Sequence, residues 1–97
     1  MFVGACRLEL EIAESSSLKD KRQVVRSVVS RLRNRFNVGV AEVDYQGSWR
    51  SAAIGIVCVS NNAGHAEQML EEVIRYVTET RLDAEISEHV IDVAEMI

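Results

Sequence analysis

Proline is absent from this chain, and aromatic residues make up only 5% of it. Without proline, and without a Gly/Ser-rich stretch, nothing marks a rigid spacer or an interdomain linker. Cys6 and Cys58 are the two cysteines, and they stand far apart in sequence with no Cys-x-x-Cys spacing. That excludes a disulfide framework and a cysteine-based zinc site, and leaves two buried free thiols in a reducing compartment. His65 and His89 lack a partner at metal-ligand spacing, so no metal and no cofactor are expected. No run approaches the ~18 consecutive apolar residues of a membrane span. The start of the chain reads directly as a strand, without the basic opening and apolar run of a signal peptide. A cytoplasmic, non-membrane protein is the expectation.

Catalytic signatures are equally scarce. No serine sits in a nucleophile-elbow context, the carboxylates are scattered over surface positions, and no enzyme is expected. Ser60-Asn61-Asn62-Ala63-Gly64-His65 opens a helix after a strand, a place where backbone N–H groups could meet an anion. Neither a Gly-x-Gly-x-x-Gly motif nor a phosphate-loop lysine accompanies it, and His65 reads as a surface residue.

What the chain does have is length for one domain, 97 residues with 47% apolar and 27% charged content, enough for a single core. The pattern divides it cleanly. Phe2 to Ile12 alternates, with Cys6, Leu8, Leu10 and Ile12 against Arg7, Glu9 and Glu11, as a half-buried strand requires. Ser17, followed three residues later by Asp20, is a helix N-cap with an acidic partner. Leu18, Val25, Val28, Val29, Leu32 and Phe36 then recur at helical spacing. Asn37 to Gln46 returns to strand character, Gln46-Gly47-Ser48 forms a hairpin turn, and Ala52 to Val59 is a nearly continuous apolar strand.

A second amphipathic helix buries Ala66, Met69, Leu70, Val73, Ile74 and Val77 and exposes Glu67, Glu71, Glu72 and Glu79. Glu85 to Ile97 closes the chain as a strand. The order β-α-β-β-α-β is that of an α+β, ferredoxin-like fold spanning 1–97: a four-stranded antiparallel sheet with two helices on one face. The third strand is apolar on both sides, and helices can cover only one. The open face is therefore expected to meet a partner, most simply a second copy in a homodimer.

Charge is the least even property of the chain. Leu18 to Phe36 holds seven of the eleven basic residues and one acid, +6 (7 − 1), while the remainder is −10 (4 − 14). Lys19, Arg22, Arg26 and Arg33 fall within roughly 60° on a helical wheel, with Arg31 and Arg35 on the opposite flank of the apolar stripe. A line of guanidinium forks at that spacing can follow a phosphate backbone. Lys19, Lys21, Arg22, Arg26 and Arg33 are the candidate nucleic-acid contacts. The competing expectation is that the stripe pairs with the acidic second helix or with a dimer mate, in exposed pairs each worth ~0–1 kcal/mol. Base stacking of the RNA-recognition-motif type is excluded, because the outward positions of the first strand are Val3, Ala5, Arg7, Glu9 and Glu11 and the third strand has no aromatic. Tyr45, Gln46 and Trp49 at the hairpin are candidate interface residues, with Trp49 either an anchor for a partner or folded back over a sheet end.

Four stretches together carry a family resemblance: Ser17-Leu-Lys-Asp-Lys-Arg22, Phe36-Asn-Val-Gly-Val-Ala-Glu-Val43, Gln46 with Trp49, and Val59-Ser-Asn61. The chain resembles the YlxP-like family, small bacterial domains of unassigned function. The resemblance implies a ferredoxin-like fold, supplies no catalytic residue, and, through the family's gene neighbourhood among translation factors, implies a ribosome-associated role. The expected function is an accessory protein binding ribosomal RNA or a ribosomal particle through the first helix. The alternative is a homodimeric protein-interaction or small-ligand regulatory module.

Overall fold

A computed structural model describes residues 1–80 and 82–97. The elements follow the expected order: β1 (Phe2–Glu11), α1 (Leu18–Arg35), β2 (Gly39–Asp44), β3 (Ser51–Ser60), α2 (Ala63–Thr80) and β4 (Glu85–Glu95). All strand pairs are antiparallel, and the sheet order is β2-β3-β1-β4. The fold is the ferredoxin-like α+β arrangement, with β1 and β3 central and β2 and β4 at the edges. β2 and β4 end two residues earlier than the hydropathy pattern suggests. For β2 the cause is local: Tyr45 adopts φ 62°, which turns the chain out of the ladder.

Parity fixes which face each strand buries. Cys6, Leu8 and Leu10 of β1, together with Ile12 just beyond it, and Ala52, Ile54, Ile56 and Cys58 of β3 point under the helices and are buried. Val25, Val28 and Leu32 descend from α1 and Ala66, Leu70, Val73 and Val77 from α2 onto that layer. Each such large side chain contributes about 1.5–3 kcal/mol of burial, which holds a valine-rich helix of modest propensity. Phe36 and Tyr76 meet edge to face at 5.7 Å, and the Arg35 guanidinium lies 4.9 Å from the Tyr76 ring, joining the end of α1 to α2.

Both helices start on side-chain caps, the first on the expected Ser17. Ser17 Oγ accepts from Asp20 N–H at 3.1 Å, and Asn62 Oδ1 accepts from His65 N–H at 2.9 Å. The Asp20 carboxylate reaches one residue further back than a standard capping box, accepting from Ser16 N–H and Oγ. Those bonds hold its carboxyl below the usual aspartate range. The cap therefore contributes fully above the pH at which an unfolded aspartate ionises, and fades as pH falls through the lower folded value.

The two thiols lie in this core. Burial pushes Cys6 up to about 11 and Cys58 upward as well. Because the thiolate is the reactive form, native protein at pH 8 should react with Ellman's reagent at least ~100-fold more slowly than protein in urea. Rapid native labelling of either cysteine would contradict the packing described here.

Candidate nucleic-acid interface

The register places Val3, Ala5, Arg7, Glu9 and Glu11 of β1 on the sheet face away from the helices, beside Ala53, Gly55, Val57 and Val59 of β3 and Glu85, Glu88, Val90, Asp92 and Ala94 of β4. Asp44 and Tyr45 join this face through side-chain contacts. Arg7 donates to Asp44 at 3.1 Å and to Glu9 at 3.3 Å, and Tyr45 Oη donates to Glu9 at 3.1 Å. The Arg7 guanidinium also sits 5.9 Å from the Tyr45 ring. The ring thus crosses Ala53, which lies between Asp44 and Glu9 in register and is fully buried. Asp44 also accepts from Tyr45 N–H at 2.8 Å; that bond and Arg7 hold its carboxyl below the ordinary range.

Six acids (Glu9, Glu11, Asp44, Glu85, Glu88, Asp92) and one base (Arg7) give this face −5 (1 − 6). Phosphate is repelled here, as the sequence suggests. Val57, Val59 and Val90 are left half-exposed or more beside it.

The basic face lies on the other layer, where α1 packs beside edge strand β2. Lys19, Arg22, Arg26 and Arg33 are exposed on one flank of α1, and Arg31 and Arg35 are exposed on the other. Among the described residues none of the six comes within 4 Å of a carboxylate, so no close ion pair joins α1 to the acidic α2. Arg33 is held partway over β2 by donating to the Val40 carbonyl at 2.7 Å.

Lys21 does not belong to this face. Its side chain is 1% exposed; Nζ lies 3.0 Å from Glu42 Oε2 and donates to the Tyr45 carbonyl. The physical reason is its angular position, roughly 20° from both Val28 and Leu32 on the helical wheel, in the middle of the apolar stripe. A lysine there can keep its charge only by finding an anion and an acceptor, and β2 supplies both. The contact with Glu42 is an ion pair of close charges and not an aligned hydrogen bond, since Oε2 has no hydrogen-bond partner. The same ammonium fixes Tyr45 in its left-handed conformation from below, while Asp44 and Glu9 fix it from above.

Among the described residues, two of the hollows beside the helices have opposite character. A groove of about 340 Å3 runs between α1 and β2, lined by Val25, Arg26, Val29, Ser30, Arg33, Asn34, Ala41 and Glu42. A wider cleft of about 760 Å3 is lined by four acids, Glu11, Glu14, Asp83 and Glu85. Of these two, the first suits an anion. Glu42 is the groove residue that the strand pattern could have singled out, because it shares parity with buried Val40 and so lies under the helix layer.

The hairpin residues divide. Tyr45 is engaged with Glu9, whereas Gln46 and Trp49 are exposed; Trp49, at 55%, does not fold back over a sheet end. Ser48 N–H bonds to the Tyr45 carbonyl at 2.9 Å, closing the turn without a positive φ at Gly47. No helix among the described residues is long and apolar enough to cross a membrane.

Residues 3–91 match the family described as "Protein of unknown function (DUF503)". The chain is 33% identical over 76 residues to "Uncharacterized protein YlxP" of Bacillus subtilis (strain 168), an alignment covering 78% of this chain and 83% of that protein. The chain therefore belongs to the DUF503 family and is YlxP-like.

Proposed function

We propose that this protein is an RNA-binding accessory factor, associated with ribosomal RNA or a ribosomal particle, whose contacts are Lys19, Arg22, Arg26 and Arg33. One observation carries the reading: these cations line one exposed flank of a capped helix, and among the described residues no carboxylate lies within 4 Å of them. Helix stability alone would favour interspersed glutamates, because like charges at i and i+4 cost a few tenths of a kcal/mol each. Guanidinium forks on phosphate give affinity and orientation with little base specificity.

The test is binding to ribosomal RNA and purified subunits across a salt series, with Arg22→Glu, Arg26→Glu and Arg33→Glu combined as the comparison. Wild type is expected to lose log affinity with log salt at a slope of about −2 to −3, as three or four released counterions give. The triple variant is expected to bind at least ~100-fold more weakly and with a flatter slope, at unchanged circular dichroism. Equal binding by folded triple variant and wild type would remove the helix from the function.

A second reading rests on the half-exposed Val57, Val59 and Val90 of the uncovered sheet face: a homodimeric interaction or ligand-binding module that uses that face and the hairpin bearing Trp49. It predicts a dimer in sedimentation and a ligand response insensitive to the α1 reversals.

A further inference from the structure

The RNA reading leaves Lys21 without a role, and the groove beside it contains an acid that ought to oppose an anion. Glu42 lines the same hollow as Arg26 and Arg33, and its side chain is 23% exposed. An uncompensated carboxylate in that position would cancel one of the two flanking arginines for any incoming phosphate. Lys21 lies beneath it, sealed from water at 1% exposure, with Nζ 3.0 Å from Oε2. Arg26 and Arg33 are more than 4 Å from Glu42, so neither of them is consumed by it. Arg33 is instead aimed along the groove wall by its bond to the Val40 carbonyl, a contact that occupies one nitrogen and leaves further N–H donors free.

We infer that the phosphate site is the groove between α1 and the edge of β2, and that buried Lys21 sets its sign by neutralising Glu42 from below. The inference rests on the RNA reading and sharpens it. The ligand is a phosphodiester strand laid lengthwise in the groove, between Arg22 and Arg26 on the helix and Arg33 over the strand edge. Arg22 and Arg26 are ~6 Å apart along the helix axis, and Arg26 and Arg33 ~10 Å apart, at 1.5 Å per residue. Ser30 and Asn34, which line the same groove, offer neutral donors to phosphate oxygens. Lys21 touches no ligand in this scheme; it is a positioning residue that acts through Glu42.

This assignment separates stability from affinity. Glu42→Gln removes the anion and leaves the buried ammonium, so the fold should lose stability while the groove gains a net positive charge. Lys21→Met loses stability too, but leaves Glu42 negative. The experiment is fluorescence anisotropy with a labelled oligouridylate at low salt, each variant measured well below its own melting temperature. Glu42→Gln should bind about 3- to 10-fold more tightly than wild type despite a lower Tm, the size of one unit charge acting across a partly wet groove. Lys21→Met should bind more weakly by a similar factor, and the double variant should return close to wild type.

If Glu42→Gln weakens binding, or leaves it unchanged while the triple arginine variant still abolishes it, the groove assignment is wrong and the RNA face stands. A wild type that does not bind oligouridylate overturns both. Polyglutamate of matched length, binding as tightly and following the same variants, would overturn the choice of RNA in favour of an acidic peptide. Should Lys21→Met fail to fold, the Glu42→Gln arm decides alone.

Discussion

Gly4→Leu is expected to remove at least ~3 kcal/mol of stability, a large part of the ~5–15 kcal/mol that a chain of this size possesses. Gly4 is buried on β1 under α2. An ideal Cβ built there already falls 2.9 Å from Leu70 Cδ1, 3.1 Å from Cys58 Sγ and 3.5 Å from Ala66 Cβ. A methyl can be accommodated, because the tightest of these contacts is the tip of a flexible leucine. Three further carbons cannot, because Ala66 has nothing to move and the neighbouring strand β3 is hydrogen-bonded in place. The helix must lift as a body. Gly4→Ala should cost no more than ~1 kcal/mol, so the pair of variants separates close approach from general intolerance. Urea midpoints measure both, with m-values checked for constancy; a Gly4→Leu midpoint indistinguishable from that of Gly4→Ala would mean that α2 does not sit where it is placed here.

Leu32→Ala should cost ~3 kcal/mol and lower Tm by roughly 12–24 °C. Leu32 is 0% exposed at the centre of the α1 stripe, where the covering layer is made of short valines with little reach to close the space. The functional corollary matters as much as the number. Below its own melting transition the variant keeps the exposed arginines on their helix, so RNA affinity should remain within ~3-fold of wild type. A calorimetric scan with a binding curve at low temperature gives both quantities. An affinity loss that tracks the stability loss would mean that the basic face depends on global rigidity, and not on the local groove.

The elements and the faces were readable from residue patterns because each was stated more than once. β1 alternates over ten residues, α1 has both a cap and a stripe, and β3 is apolar on both sides with its outer half ending on Val57 and Val59. The strand order follows from topology once those elements are known. Lys21 was harder, because listing it with its charged neighbours by sequence proximity hides its angle on the helix. The wheel that groups Lys19, Arg22, Arg26 and Arg33 also places Lys21 among Val25, Val28 and Leu32. Its partner was likewise present as an acid of core parity, Glu42 two residues beyond Val40. Neither signal alone says that the two residues meet, since that depends on α1 lying over β2 and not over β4.

Other features were not legible in any pattern. Tyr45 reads as an alternating strand residue, yet its left-handed backbone is fixed by groups from α1, β1 and its own neighbour Asp44. A sequence window cannot contain partners separated by 24 and 36 positions. Trp49 illustrates the reverse case: a large aromatic suggests a buried anchor, and more than half of it stays exposed.

The segregation of charge across the molecule has a kinetic side. Cations gather at the corner where α1 overlies β2, while α2, β4 and the uncovered sheet face are acidic. Such a body is a strong electric dipole even though its net charge is −4. In the field of a polyanion such a body experiences a torque before contact, and on the RNA reading it would arrive with α1 leading and the acidic surfaces turned away. Encounters that would otherwise be lost to wrong orientation become productive, and the gain shrinks as added salt shortens the reach of that field. A small acidic protein can in this way be both excluded from nucleic acid over most of its surface and captured quickly through one edge.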